Sequence, residues 1–191
     1  MRGFALGYID ELNVALKSID LGELSKTKDA LLSARDSDNN IFVVGNGGSA
    51  STASHMACDI GKGVLGHTGE KKIKRFRIMS LNDNIATMTA WSNDTSFDDV
   101  FAEQLENLAN KGDVLVAISA SGNSSNIIKA VNVAKKKGCK IIGFVGFDGG
   151  KLKKLSDICL WAKVDKYDVS EDVHLIFEHI LTRWFFENIQ E

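Results

Sequence analysis

The sequence contains no proline, few cysteines and no long apolar run. Nothing in the sequence explains the absence of proline among its 191 residues. The three cysteines, Cys58, Cys139 and Cys159, cannot all pair and lack metal-binding spacing, so we expect buried free thiols in a reducing cytoplasm. No apolar stretch approaches the roughly 20 residues of a membrane span, and the start turns acidic at Asp10 without a signal-peptide core. We therefore expect a cytoplasmic protein with no membrane partner.

The chain also carries little net charge. Its formal charge is −2 at pH 7, which argues against a basic arm that binds nucleic acid. The compact basic run Lys135-Lys136-Lys137 stands at the end of a predicted helix, where the helix dipole favours cations, so we interpret it as solvated. The sequence predicts no nucleic-acid partner.

What the chain does have is a repeated pattern of short apolar strand, polar turn and helix. Its apolar content of 44% and charged content of 25% are ordinary for a globular protein, and its length suits a single domain over residues 1–191. We predict strands at 41–44, 77–81, 114–119, 140–145 and 157–162, and helices at about 49–60, 83–92, 97–110, 124–138, 148–155 and 168–188. A helical pattern at about 5–36, broken near 18–22, precedes them. Alternating strands and helices predict an α/β fold whose five-stranded parallel sheet has helices on both faces.

Two turns rich in glycine and serine leave predicted strands and open predicted helices. The first is Gly45-Asn46-Gly47-Gly48-Ser49, and the second is Ser119-Ala120-Ser121-Gly122-Asn123-Ser124. Helix N-termini attract phosphate, glycine lets the backbone approach the anion, and serine hydroxyls add neutral donors. Turn chemistry with a helix cap would explain one or two of the serines, whereas a phosphate cradle explains the group. Neither turn has the sequence of a P-loop or of a dinucleotide fingerprint.

Titratable side chains on two predicted helices form the second candidate group. His55 and Asp59 are four residues apart, so they share one helix face. Glu171 and His179 on the last helix are about 80° apart around its axis and can border one cleft. These types could bind zinc or move protons, or each histidine could be structural, and we expect Glu178 to be solvated. Asn93-Asp94 could cap the next helix or hold sugar hydroxyls.

These motifs, in this order along nearly the whole chain, resemble the sugar isomerase (SIS) domain family. Within that family they resemble the bacterial sedoheptulose-7-phosphate isomerases, also called phosphoheptose isomerases. The resemblance is carried by the N-terminal helices, the two turns, Asn93-Asp94, Asp148-Gly149-Gly150-Lys151 and the histidines of the last helix. It implies a flavodoxin-like, three-layer fold and a homotetramer with active sites between subunits.

The resemblance also implies a reaction and a set of site residues. The reaction interconverts sedoheptulose 7-phosphate and D-glycero-D-manno-heptose 7-phosphate through an enediol, for lipopolysaccharide or capsule synthesis, with one Zn²⁺ per subunit and no organic cofactor. The implied catalytic residues are Asp59 and His179, and the implied metal ligands are His55, Asp59, Glu171 and His179. The implied substrate-binding residues are Asn46, Gly47, Gly48, Ser49, Asp59, Asn93, Asp94, Ser119, Ala120, Ser121, Ser124 and Glu171.

The chain departs from the family's pattern at four places. Asp59 stands where the family has glutamate, Glu171 where it has glutamine, and Ala120 where it has threonine. Gly61-Lys62-Gly63 stands where an arginine is expected. We interpret these departures as an intact site of altered specificity. The alternatives are an isomerase of a different ketose phosphate and a non-catalytic protein that binds a phosphosugar or a partner, like the DnaA-associating relatives.

Overall fold

A computed structural model describes residues 1–66, 69 and 71–189 of the chain, which form helices and strands in alternation after an N-terminal helix pair. The helices are α1 (Arg2–Lys17), α2 (Leu21–Asp36), α3 (Gly48–Gly61), α4 (Ile85–Asp94), α5 (Ala102–Leu108), α6 (Ser125–Lys137), α7 (Gly150–Leu155) and α8 (Tyr167–Asn188). The strands are β1 (Asn40–Val44), β2 (Arg77–Ser80), β3 (Val114–Ser119), β4 (Lys140–Val145) and β5 (Ile158–Trp161). A short 3₁₀ helix, Gly63–Leu65, follows α3.

The five strands make one parallel sheet in the order β2-β1-β3-β4-β5. Central strand β3 is buried along its whole length, because helices cover both faces of the sheet. The order reverses between β1 and β3, which pair with Val44 beside Ala117. The carboxyl ends of these two strands are therefore the switch point at which such sheets bind ligands.

Alternate side chains of each strand enter two separate cores, which makes the fold three-layered. On one face, Ile41, Val116 and Phe144 pack with residues of α2, α3 and α8. On the other face, Phe42 and Leu115 pack with residues of α5, α6 and α7. The predicted α/β fold with a five-stranded parallel sheet is confirmed.

The element boundaries show where local chemistry overrides the hydrophobic pattern. The predicted break in the N-terminal helix is present, because the Asp20 carboxylate accepts hydrogen bonds from Gly22 N and Glu23 N and starts α2. The helix predicted at 97–110 spans only Ala102–Leu108, because the Ser96 hydroxyl donates a 2.6 Å hydrogen bond to Asp99 and holds a turn there. The first residues of the predicted helix therefore form a turn, because serine and aspartate side chains compete for the hydrogen bonds of a helix.

The three cysteines are free, but one of them is not where we expected it. Cys139 is buried and Cys159 is half-buried, and burial raises the pKa of each thiol to about 11. Cys58 is exposed on α3, so the expectation of three buried thiols is wrong at this position. No helix among the described residues is both long and apolar enough to cross a membrane.

Candidate active site

A pocket of about 110 Å³ lies beyond the carboxyl ends of β1 and β3. We call it the serine pocket; its lining residues are Asn46, Ser49, Ile118, Ser119, Ala120, Ser121, Ser124, Tyr167 and Glu171. Three of its hydroxyl groups come from the last residue of β3 and the turn after it, and Ser119 Oγ lies 3.4 Å from Ser124 Oγ. Grouped neutral donors of this kind are suited to an anion's oxygens.

The backbone of both turns also favours the binding of an anion in the serine pocket. Helices α3 and α6 start at the pocket, and the N-cap residue of neither helix makes a side-chain capping hydrogen bond. In the first turn of α6, Ile127 N donates to the Asn126 side chain. Helix starts that lack an N-cap acceptor can take an anion in its place. Gly122 has φ +64°, and a Cβ there would collide with the carbonyl of Gly149, so the turn requires glycine.

An amide pair that the sequence analysis missed joins the two turns. Asn46 Nδ2 donates to Asn126 Oδ1, and Asn126 Nδ2 donates to Asn46 Oδ1, both at 2.9 Å. Asn126 is only 2% exposed, so the pair is held in a buried setting where hydrogen bonds are strong. A polar residue on the buried face of amphipathic α6 was the available signal.

Helices α3 and α8 bring together two histidines and two carboxylates. We call this group the histidine cluster; its members are His55, Asp59, Glu178 and His179, whose ligand atoms lie within 4.8 Å of one another. His55 Nε2 is 3.1 Å from His179 Nε2 and 3.2 Å from Asp59 Oδ2. Two imidazoles and two carboxylates are a donor set that divalent zinc accepts. The cluster therefore fits a metal ion by its chemistry.

Glu178 corrects one expectation of the sequence analysis. Its side chain is 0% exposed, not solvated. Burial raises the pKa of the Glu178 carboxyl and the charge of Asp59 adds to the rise, whereas a hydrogen bond from Thr182 opposes it. The expectation failed because an angle around one helix does not reveal that α3 packs over that side of α8.

Glu171 lies apart from the histidine cluster. It is not among the four residues whose ligand atoms converge, and it lines the serine pocket instead. Its carboxylate packs against Gly48, where any side chain would collide with it. Burial raises the pKa of Glu171, and the charges of Asp172 and Asp168 add to the rise.

The remaining candidate residues belong neither to the lining of the serine pocket nor to the histidine cluster. Asn93 and Asp94 are exposed at the end of α4, hydrogen-bonded to each other at 2.8 Å, and they are not among the described residues that line the serine pocket. They do not cap the next helix, because α5 begins after Phe101. Gly47 is the residue before α3, with φ +53°. The hydroxyl of Ser125 is directed to Asp98 rather than to the pocket.

Asp59 and His179 also border a second, open pocket of about 390 Å³. Lys62 and Arg183 line the same pocket, so cationic side chains stand near the two candidate catalytic groups. The histidine cluster is therefore accessible from outside the protein, as a catalytic group must be.

Comparison with known proteins agrees with this architecture. The family model for the SIS domain matches residues 7–146. The chain belongs to the SIS domain family. The phosphoheptose isomerase of Helicobacter pylori (strain P12) is 37% identical over 178 residues, which cover 92% of this chain and 88% of that protein. The probable phosphoheptose isomerase of Thermoplasma acidophilum is 36% identical over 174 residues, which cover 91% and 93%.

Solved structures extend the agreement to this SIS protein's whole fold. The phosphoheptose isomerase GmhA from Neisseria gonorrhoeae has a TM-score of 0.85 at 28% identity, covering 96% of this chain and 95% of that chain. A phosphoheptose isomerase from Francisella tularensis has a TM-score of 0.87 at 25% identity, covering 98% and 96%. The resemblance to phosphoheptose isomerases within the SIS family, stated from the motifs, is confirmed.

Proposed function

We propose that this SIS protein is an aldose–ketose isomerase that interconverts sedoheptulose 7-phosphate and D-glycero-D-manno-heptose 7-phosphate. The observation that carries the proposal is the convergence of Asp59, His55 and His179 on one helix pair, two helical turns from the serine pocket. The similarity of nearly the whole chain to phosphoheptose isomerases supports the same reaction.

The separation of the two sites suits a seven-carbon sugar phosphate. Glu171 lines the serine pocket and His179 belongs to the histidine cluster, and the eight residues between them span about 12 Å of helix at 1.5 Å per residue. A seven-carbon chain with its phosphate linkage extends on the order of 10 Å, given single bonds of about 1.5 Å. The phosphate can therefore occupy the serine pocket while the carbonyl end lies near the cluster.

The residues of the serine pocket are proposed to bind and orient the substrate. Ser119, Ser121 and Ser124 donate hydrogen bonds to the phosphate, with the N-termini of α3 and α6 behind them. Asn46 and Ser49 line the same pocket, and we assign them, together with the Gly47–Gly48 backbone, to the sugar. Asn93 and Asp94 would reach the substrate only by closure of α4 or in an oligomer.

Asp59 and His179 are proposed to move the protons. Transfer of the carbonyl between C2 and C1 requires removal of a proton from one carbon and its return to the neighbouring carbon, through an enediol. The Asp59 carboxylate takes the carbon proton, and the His179 imidazole exchanges protons on the two oxygens. A bound divalent cation, for which we propose Zn²⁺ on His55, Asp59 and His179 with a fourth ligand, would supply electrostatic stabilisation of the oxygens' developing charge. The resemblance gives Glu171 as that ligand, but its carboxylate lies at the serine pocket, so we assign Glu171 to substrate hydroxyls.

We further propose that the protein is a cytoplasmic homotetramer with active sites between subunits. Helix α1 has Ala15 as its one buried residue, and it exposes Phe4 by 78% and Val14 by 70%. Such an apolar face on a helix supports burial against another subunit. The free thiols of Cys58, Cys139 and Cys159 support a reducing compartment.

The proposal is tested with the variants Asp59→Asn and His179→Gln. Each should lower the rate of sedoheptulose 7-phosphate conversion by a factor on the order of 10² to 10⁴, the range for loss of a general acid or base. Binding of the sugar phosphate, measured by calorimetry, should persist because the serine pocket is unchanged. Asp29→Asn, an exposed carboxylate on α2, is the matched control and should retain full activity. Undiminished conversion by either cluster variant would contradict the assigned roles, and failure of the wild type to convert the sugar would contradict the substrate.

A further inference from the structure

Glu178 is a buried carboxylate with only one satisfied oxygen. Its side chain is 0% exposed. Oε1 accepts a 2.7 Å hydrogen bond from Thr182 Oγ1, whereas Oε2 has no hydrogen-bond partner among the described residues. An unpaired carboxylate oxygen is strongly unfavourable in a protein interior unless a nearby positive charge compensates it or the carboxyl is protonated.

The unpaired oxygen faces the nitrogens of both histidines. Glu178 Oε2 lies 3.4 Å from His179 Nε2 and 3.9 Å from His55 Nε2. Bonds of about 2.0–2.1 Å to a tetrahedral cation place neighbouring ligand atoms about 3.3 Å apart. Two further spacings in the cluster, His55 Nε2 to His179 Nε2 at 3.1 Å and His55 Nε2 to Asp59 Oδ2 at 3.2 Å, are close to that value. The four atoms, all within 4.8 Å of one another, thus lie close enough together to surround one small cation.

Protons can satisfy this arrangement only in separate pairs, with a protonated Glu178 donating to His179 Nε2 and His55 Nε2 donating to Asp59 Oδ2, and the 3.4 Å separation of the first pair is long for a hydrogen bond. One hydrogen between the two Nε2 atoms would leave both carboxylate oxygens without a donor from them. Two protonated imidazoles would place like charges 3.1 Å apart. A divalent cation among the four atoms satisfies both nitrogens and both oxygens together.

We propose that Glu178 Oε2 is the fourth ligand of the divalent-cation site formed with His55, Asp59 and His179. This inference rests on the metal-assisted isomerase proposed above, and it names a ligand different from Glu171, which the resemblance implies. Glu171 lines the serine pocket, and its carboxylate is packed on Gly48 there. The two glutamates of α8 therefore have separate functions.

The test is a Zn²⁺ titration of metal-free protein in competition with a chromophoric chelator. Glu178→Gln should weaken Zn²⁺ binding by at least about 100-fold, because loss of an outer-shell partner alone costs about 10- to 100-fold. Glu171→Gln is the matched control, since it makes the same chemical change on the same helix, and its Zn²⁺ affinity should stay within about threefold of wild type. Unchanged affinity in Glu178→Gln, or an equal loss in Glu171→Gln, would overturn the assignment.

A second measurement guards against a folding defect. Glutamine has the shape of glutamate without its charge, so metal-free Glu178→Gln should unfold at a temperature no lower than that of metal-free wild type. Added Zn²⁺ should raise the unfolding temperature of wild type and of Glu171→Gln, and at the same concentration it should raise that of Glu178→Gln by less, because its affinity is lower. An equal rise in all three proteins would refute the inference. A wild type that shows the expected pattern but converts no sugar phosphate would uphold Glu178 as ligand and overturn the proposed function alone.

Discussion

Replacing Ser124 with alanine isolates one hydroxyl group of the serine pocket. Ser124 lines the pocket and is the residue before α6, but its side chain makes no capping hydrogen bond. Alanine at this position therefore removes a proposed phosphate donor without removing a capping hydrogen bond from the helix start. The neighbouring Ser125 provides a matched control, because its hydroxyl is bonded to Asp98 instead.

The size of the effect follows from the charge of the phosphate. A hydrogen bond to a charged group contributes about 1.5–3 kcal/mol, and each 1.4 kcal/mol corresponds to a factor of ten in binding. Ser124 is half-buried, so solvent weakens the bond and the lower end of this range applies. We expect KM for the sugar phosphate to rise about tenfold. The phosphate does not react, so its binding is the same in ground and transition states and kcat should not change.

The assay is steady-state isomerisation by Ser124→Ala, Ser125→Ala and wild type, with phosphorylated and unphosphorylated sedoheptulose. KM should rise only for Ser124→Ala and only with the phosphorylated sugar. Unfolding temperatures of the three proteins should agree, which excludes a stability effect. An equal rise in KM for Ser125→Ala, or none for Ser124→Ala, would show that the pocket does not bind phosphate through these hydroxyls.

Two further predictions concern stability and assembly. Burial lowers the pKa of His174 to about 4 from its ordinary 6.5, so the unfolded chain takes up this proton first and stability is lost as the pH falls from 6.5 towards 4. Between pH 7 and pH 5 wild type should lose about 2 kcal/mol more than His174→Phe in urea unfolding, and equal losses would refute the assignment. The exposed apolar face of α1 predicts that Phe4→Glu dissociates the proposed tetramer in sedimentation velocity, whereas Asp10→Asn on the same helix should not. A tetramer that survives Phe4→Glu would exclude that part of α1 from the interface.

The fold was predictable from sequence because each of its main signals is local. Continuous apolar runs marked β3 and β4, which are buried on both faces. The glycine- and serine-rich turns marked the start of α3 and α6, where strand becomes helix. The start of the helix predicted at 97–110 was placed too early, because a side-chain hydrogen bond from Ser96 to Asp99 competes with the helix there.

The candidate site was only partly predictable, because spacing on one helix says little about its neighbours. The hydroxyls of Ser119, Ser121 and Ser124 were expected together and do line one pocket, since a single turn carries them. Glu178 and His179 are adjacent in sequence, and adjacent helix residues do not normally face the same neighbour. Both nevertheless lie near His55, because α3 packs along α8 and places the His55 imidazole within 4 Å of each side chain. The contact between His55 and His179, which are 124 residues apart in sequence, cannot be predicted from any local sequence pattern.

Glu171 and Glu178 lie on the same helix, α8, but Glu171 lines the serine pocket and Glu178 belongs to the histidine cluster. Two neutral imidazoles with the carboxylates of Asp59 and Glu178 would balance the charge of a divalent cation, so a third carboxylate would leave the site negative. Glu171 lies instead beside hydroxyls proposed to hold a phosphate, where its charge opposes the anion. Burial raises the pKa of the Glu171 carboxyl at this position. We therefore expect the negative charge that Glu171 adds relative to the family's glutamine to affect the proposed substrate selection at the serine pocket rather than the proposed metal site.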